Sequence, residues 1–322
     1  MKNFLSVFDG MSVGIASLIS LGLRPNIDFQ YYSSEIDKNA IKCSESNHEN
    51  LMTRLGDVTK LSFKDGKLHS ENGLFEVGKI DYLIGGSPCQ QFSALGNQTG
   101  LEGKSSKLFY EYLRLLEEIR TENPDVIFLL ENVRMRKDYK KNLDEYLGTI
   151  GVNICSSLVS YQKRQRIYWS NKPFEEPVDR GVSFQDFKDT SDNQKNYLMP
   201  VNKSTTSMWN NGQGRNNVAF GCANVTNSDK VYCLTMKQYR TPNSGLVAYQ
   251  DWFRLLTREE LEQAQTLPIG YTRVLSYNQA QAVLGNGWTM EVIKHIFSFI
   301  LKDFLEEVQN DKENHSSNER EQ

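Results

Sequence analysis

Apolar and polar positions divide the chain into short strands that end on glycine or an acid, most of them followed by helical spacing. Phe4-Leu5-Ser6-Val7-Phe8 reads as a first strand, running into Asp9-Gly10-Met11-Ser12-Val13-Gly14 and a helix over about residues 15–21. Residues 29–34 read as a second strand that ends in Glu35-Ile36-Asp37. A helix over about residues 38–45 and a strand-edge turn at Gly56-Asp57-Val58 follow. Tyr82-Leu83-Ile84 is a short buried strand broken by Gly85-Gly86-Ser87-Pro88. Leu108, Tyr112, Leu115, Leu116 and Ile119 then recur with helical period until Asn123-Pro124 stops them. Val126-Ile127-Phe128-Leu129-Leu130 delivers Glu131-Asn132-Val133, and a further helix covers residues 140–150. Alternation over residues 161–169 places Arg164, Arg166 and Tyr168 on one face of a strand. Such strand and helix alternation predicts an α/β fold whose ligands bind at the carboxyl ends of the strands.

The pattern fails between residues 174 and 250, where Asn, Ser, Thr, Gly and Gln dominate. A smaller, loop-rich segment is expected there, with short strands near Val218-Ala219-Phe220 and Val231-Tyr232-Cys233-Leu234; Trp209, Phe220 and Tyr232 indicate some core. Order returns at Phe253-Arg254-Leu255-Leu256-Thr257, where Thr257 caps a helix with Glu260 at the capping-box position. Gly285-Asn286-Gly287-Trp288-Thr289 precedes an amphipathic helix over about residues 290–304. The expected division is residues 1–173, a distinct segment 174–250, a return to the first domain over 251–306, and a disordered polar tail at 307–322.

Composition adds mainly exclusions. With 39% hydrophobic and 24% charged residues the chain has ordinary soluble, globular proportions. No apolar run approaches the roughly 20 residues a bilayer requires, and the first apolar stretch is too short for a signal peptide. An intracellular protein without a membrane partner is expected. The five cysteines (Cys43, Cys89, Cys155, Cys222 and Cys233) form no Cys-x-x-Cys pair and no Cys/His cluster, which argues against a metal site and a disulfide framework. Net charge is −3, but the last twenty residues alone carry −5, and residues 201–250 carry +4. A local basic surface of that kind can bind phosphates whatever the total charge.

Cys89 follows a strand end, on the edge where α/β enzymes do their chemistry; by itself it reads equally well as a nucleophile or as a buried structural thiol. Asp9, Glu35 and Asp57 sit at three successive strand ends. Their carboxylates can accept from ribose hydroxyls and an adenine amino group, with no phosphate to neutralise, which points to S-adenosylmethionine. Glu131, after five apolar residues, suits a partly desolvated cleft where a carboxyl can stay protonated and donate. Arg164 and Arg166 can fix that carboxyl, a substrate carbonyl or a phosphate through charge-assisted bonds.

Taken together, Phe8-Asp9-Gly10-x-x-x-Gly14, Glu35, Gly56-Asp57-Val58, Gly86-Ser87-Pro88-Cys89-Gln90, Glu131-Asn132-Val133, Gln162-Lys163-Arg164-Gln165-Arg166, Arg254-x-Leu256-Thr257 and Gly285-Asn286 resemble the DNA (cytosine-5) methyltransferase family, in order and spacing. The closing stretch from Tyr271 to Trp288 is similar to the eukaryotic de novo subgroup. The resemblance implies a Rossmann-like SAM-dependent methyltransferase sheet over residues 1–173, with 174–250 as a smaller, loop-rich target recognition domain. It implies Cys89 as nucleophile, with Glu131, Arg164 and Arg166 as its catalytic partners. S-adenosylmethionine would be held by Phe8, Asp9, Gly10, Met11, Ser12, Gly14, Glu35, Ile36, Asp57, Val58, Pro88, Leu108, Asn286 and Trp288. The implied partner is double-stranded DNA, met by Gln90, Ser93, Leu95, Arg215, Lys237 and Arg240. Leu95 is a candidate wedge for the base stack. Asp9 and Leu95 depart from the usual residues of many bacterial members. A tRNA cytosine-5 methyltransferase and a catalytically inactive DNA-binding relative are the alternatives; a cytoplasmic, bacterial or phage-encoded enzyme, of the kind found in restriction-modification, is the expectation.

Overall fold

A computed structural model of the protein describes residues 1–87, 106–212, 223–236 and 243–320. The chain begins with β1 (Lys2–Val7), α1 (Val13–Ser20), β2 (Phe29–Ser34), α2 (Lys38–His48) and β3 (Thr53–Arg54). Three short strands come next, β4 (Ser62–Lys64), β5 (Lys67–Ser70) and β6 (Gly73–Glu76). They lead to β7 (Tyr82–Gly86), α3 (Ser106–Glu122), β8 (Ile127–Val133), α4 (Lys137–Leu147), β9 (Val152–Cys155), β10 (Gln162–Lys163) and β11 (Gln165–Ser170). The remainder forms α5 (Lys203–Gly212), β12 (Val231–Tyr232), β13 (Val247–Tyr249), β14 (Trp252–Arg254), α6 (Arg258–Ala264), α7 (Tyr277–Asn286), α8 (Met290–Ile300) and α9 (Lys302–Arg320).

Seven strands make one sheet in the order β3-β2-β1-β7-β8-β11-β9. Pairing is parallel from β3 to β8, and β11 runs antiparallel to both β8 and β9. The order reverses between β1 and β7, so the loops leaving those two strands part and open a crevice at the switch point.

Alternate side chains along each strand feed two cores. Leu5, Val7, Leu83, Phe128, Leu130 and Trp169 pack under α3 and α4 on one face. Phe4, Tyr82, Ile84, Leu129 and Tyr168 meet Ile15 and Leu18 of α1 and Val292, Ile293, Ile296 and Phe297 of α8 on the other. Helix α8, from late in the chain, thus lies beside the first helix.

Three expectations change. The boundary at residue 250 falls inside a hairpin, because β13 pairs antiparallel with β14. The described part of 174–250 also shares a core with the residues after it, Phe184, Val225, Val231 and Val247 packing with Leu256, Leu261 and Leu284. The tail expected to be disordered is helical to Arg320 in α9. The reason is a continued apolar stripe: Leu301, Phe304 and Val308 are buried, and Phe304 stacks obliquely near Phe4 and Tyr82. Finally, the three-stranded antiparallel sheet β4-β5-β6 was not among the expected elements. Of the expected strands in the variable segment, the one near Val231 is present as β12, and the one at Val218-Ala219-Phe220 lies outside the described residues.

Candidate active site

A pocket of about 300 Å³ opens at the carboxyl ends of the parallel strands. Phe8, Gly10 and Met11 line it after β1, Glu35 and Ile36 after β2, and Asp57 and Val58 after β3. Gly86 and Ser87 enter from β7, Leu108 from α3, Glu131 to Val133 from β8, and Arg164 and Arg166 beside β11. Val283, Gly285, Asn286 and Gly287 close it from α7. Residues separated by most of the chain therefore share one cavity.

At one end the backbone is forced into an unusual path. Phe8, Gly10 and Ser12 all lie at positive φ, 57°, 56° and 63°. Only Gly10 takes that region without cost, so the other two must be held there by their surroundings. Asp9 does the holding. Its carboxylate is buried and accepts from Ser6 Oγ at 2.6 Å, Tyr31 Oη at 2.7 Å, Ser33 Oγ at 2.7 Å and Ser12 Oγ. Arg54 Nη1 stands 4.0 Å from it. Asp9 is thus turned inward, away from the pocket, contrary to its expected place among ligand-facing acids. Ser12 and Gly14 are buried beneath the loop too, and a Cβ on Gly14 would lie 2.5 Å from Tyr31 Oη.

Glu35 does face the cavity. Its carboxylate accepts from Gly10 N at 2.7 Å and from Ile36 N and Asp37 N at 2.8 Å each, which locks its position relative to the glycine loop. Burial raises its pKa, although those three amides oppose the shift. Asp57 lines the pocket and accepts from Thr59 N at 2.9 Å as the cap of a short 3₁₀ turn.

At the opposite end, Glu131 stands beside Gly86 in the β7–β8 register. Arg166 Nε meets its Oε1 at 2.9 Å, and Trp288 Nε1 donates to its Oε2 at 3.1 Å. Both carboxylate oxygens therefore have a fixed donor. Arg164, expected in the same role, is engaged elsewhere. Its fully buried guanidinium donates to Leu234 O at 3.1 Å, Gly285 O at 3.1 Å, Gly287 O at 2.9 Å and Cys233 Sγ at 3.4 Å. It ties the variable segment and the end of α7 to the sheet edge. Burial lowers its pKa. Burial opposes ionisation of Cys233 as well, yet Arg164 and Arg166 together hold that thiol below its ordinary range.

Sequence reasoning left Asn132 and Ser87 without roles. Asn132 Nδ2 donates to Ser87 Oγ at 3.0 Å, fixing the last described residue before Pro88-Cys89. The signal was their adjacency to Glu131 and Cys89. Val283 and Gly287 were missed as well. A Cβ on Gly287 would lie 2.3 Å from Met11 Cε, so the first loop and the end of α7 close directly on each other. Pro88, Cys89, Gln90, Ser93, Leu95, Arg215, Lys237 and Arg240 lie outside the described residues.

Sheet order, crevice and polar constellation define a Rossmann-like enzyme of the methyltransferase class. The C-5 cytosine-specific DNA methylase family matches residues 3–169, and the chain belongs to that family. It is a DNA (cytosine-5) methyltransferase, an enzyme that uses a methyl donor and acts on DNA. The chain is similar to the type II methyltransferase M.DsaV of Dactylococcopsis salina, 26% identical over 294 residues that span 82% of this chain and 77% of that protein. It is 28% identical over 303 residues to the type II methyltransferase M1.ScrFI of Lactococcus lactis subsp. cremoris, spanning 84% of this chain and 72% of that one. In fold it is similar to the S. pombe Dnmt2 methyltransferase, with a TM-score of 0.69 at 17% identity over 94% of this chain and 99% of the other. Among the described residues no helix is long and apolar enough to cross a membrane.

Proposed function

We propose that the pocket holds S-adenosylmethionine and that Cys89 forms a covalent bond to a cytosine turned out of duplex DNA. The observation that carries this reading is the fixed Glu131 carboxylate, held by Arg166 and Trp288 one strand away from the β7 end that leads to Cys89.

The lining suits the donor. Two carboxylates, Glu35 and Asp57, sit among Phe8, Ile36, Val58 and Leu108, and no lysine or arginine stands at the Gly10 end among the described lining residues. That set accepts from the hydroxyls and amino group of an adenosine and offers nothing for a phosphate. Glu35 would take the ribose, Asp57 the adenine amino group, and Phe8 with Gly10 and Met11 the remaining wall; Asn286, Trp288 and Pro88 would close it. Asp9, Ser12 and Gly14 would shape the loop from beneath. When bound, S-adenosylmethionine supplies the methyl group.

Cytosine carbon 5 is a weak nucleophile. Cys89, as thiolate, adds to carbon 6 and pushes electrons toward carbon 5. Glu131 in its protonated form donates to ring nitrogen N3 and stabilises the charge that builds there. Arg166 keeps Glu131 aimed, and Arg164 keeps the surrounding loops in place. Once carbon 5 carries the methyl group, loss of its proton to a base or to water re-forms the 5,6 double bond and releases Cys89 as thiolate. A base inside a duplex is out of reach, so it must be extruded into the pocket. Gln90, Ser93 and Leu95 are close to Cys89 in sequence and would contact the opened duplex, Leu95 as the wedge. Arg215, Lys237 and Arg240, from the basic segment, would meet phosphates or guanine edges.

The test is covalent capture on duplex DNA containing 5-fluorocytosine in the presence of S-adenosylmethionine. A denaturation-resistant complex forms with the native protein and is lost in Cys89→Ser; its survival in that variant sinks the assignment. The same assay on tRNA separates the alternative substrate. The type II relatives favour DNA, whereas the likeness to Dnmt2 is one of fold.

A further inference from the structure

The sheet β4-β5-β6 stands apart from the seven-stranded sheet and ends in a turn made of Glu71 and Asn72, since Ser70 pairs with Gly73 across it. That turn reaches the pocket wall. Glu71 Oε1 accepts from Asp57 N at 2.8 Å, Glu71 Oε2 pairs with Lys60 Nζ, and Asn72 Nδ2 donates to Arg54 O at 3.1 Å. Approach is so close that a Cβ on Gly56 would lie 2.3 Å from Glu71 Oε1. Gly56 itself sits at φ +80°, in the left-handed region that glycine accepts most readily.

The opposite end of the small sheet is fixed to α3. Phe63 N donates to Glu118 at 2.9 Å, and Asp65 N and Gly66 N donate to Glu122 at 2.6 and 2.7 Å. Phe63 and Leu68 are buried in the same core as Leu115 and Ile119. Arg114, also on α3, donates to Leu61 O at 2.7 Å. The sheet is therefore a strut. Its base is held by α3, and its tip presses on the Gly56-Asp57 turn that lines the cavity.

We propose that this small sheet is a clasp on the cofactor pocket, in which Glu71 and Asn72 are positioning residues that hold the Gly56-Asp57-Val58 turn in its binding conformation and so set affinity for the adenosine end of S-adenosylmethionine. The inference rests on the reading of that pocket as the S-adenosylmethionine site. Neither residue lines the cavity; each acts through the backbone it holds. Without them the turn regains freedom that the ligand must remove on binding, which weakens affinity and leaves the reacting groups untouched. The Glu71 carboxyl is kept below its ordinary range, by Lys60 first and by the Asp57 amide second.

The decisive measurement is calorimetric titration of S-adenosylmethionine and S-adenosylhomocysteine into the full chain, native and as Glu71→Ala, Glu71→Gln and Asn72→Ala, alongside steady-state methylation of duplex DNA. Glu71→Ala is expected to weaken both ligands by about tenfold and to raise KM for S-adenosylmethionine in proportion. Turnover at saturating donor should stay within about twofold, because the groups around the cytosine are unchanged. Glu71→Gln keeps an acceptor for the Asp57 amide and should fall between native and alanine forms. Circular dichroism identifies a variant that fails to fold; Glu71→Gln and Asn72→Ala then decide the matter. Native-like affinity in the folded variants, or a loss in turnover without a change in KM, overturns the clasp. A native protein that binds neither ligand refutes the reading of the pocket itself, and the clasp with it.

Discussion

Gly86 and Glu131 stand side by side across the parallel β7–β8 pair, and a Cβ on Gly86 would lie 2.8 Å from Glu131 Oε2 and 2.9 Å from Trp288 Nε1. The bare backbone leaves room for carboxylate and indole to meet. Gly86→Ala must push them apart while leaving the strand intact. Turnover should fall by at least about 100-fold, the loss typical of one misplaced catalytic group, with only a modest change in melting temperature. Methyl transfer to duplex DNA and thermal denaturation read the two quantities; full activity in a folded variant would show that the contact over Gly86 does not matter to the reaction.

Arg164, between β10 and β11, and Arg166, within β11, should separate cleanly by assay. Arg164 satisfies three backbone carbonyls from deep burial, so Arg164→Ala should destabilise the fold by about 3–5 kcal/mol. Arg166 mainly orients Glu131, so Arg166→Ala should cost stability less and turnover more. Urea unfolding and steady-state kinetics on both variants check this; the reverse ranking would mean that the contacts are assigned to the wrong jobs.

Asp9 collects four hydroxyl donors beneath the first loop. Asp9→Ala leaves them without that buried acceptor and should destabilise the protein by about 2–4 kcal/mol, with weaker donor binding because the loop is no longer fixed. Asp9→Asn, which keeps one acceptor, should recover part of both. Melting and donor titration would expose an error here, since equal stability in Asp9→Ala contradicts the role.

His48 gives a pH signature. Tyr271 Oη donates its proton to Met11 O at 2.8 Å, so at the 2.9 Å contact His48 Nε2 is the donor. Burial lowers its pKa from 6.5 to about 4. Above the unfolded value both states are neutral and the protein keeps its full stability. Below about pH 6.5 the unfolded chain takes up a proton that the folded ring refuses, and stability falls until about pH 4, by on the order of 2–3 kcal/mol. His48→Gln should flatten that part of the stability curve; an unchanged slope would place the linkage on another group.

Much of this architecture is legible in the chain because its strands are short apolar runs ending on a chemically distinctive residue. By that rule alone Glu35 and Glu131 fall near strand ends, and both line the pocket; Thr257 with Glu260 forms the expected capping box. Asp9 is misread for a physical reason: strand ends reveal proximity to the crevice but not which way a side chain turns, and Ser6, Tyr31 and Ser33 draw this one inward. Arg164 fails likewise, since alternation assigns a face but cannot reveal the carbonyls of Leu234, Gly285 and Gly287 brought there by distant chain. The β4-β5-β6 sheet carried its own signal in Asp65-Gly66, a two-residue turn between paired Lys64 and Lys67. Its strands are too short for alternation to stand out. The helical tail was hidden by its charge, which masks the spacing of Leu301, Phe304 and Val308.

The closure of Met11 against Gly287, with Tyr271 bonded to Met11 O, has a consequence for timing. During synthesis the glycine loop leaves the ribosome well before its partner from α7, which follows after the strands between them can pair. A nascent chain therefore carries the first wall of the pocket before the wall that closes it. The pocket is complete only when α7 docks on the first loop.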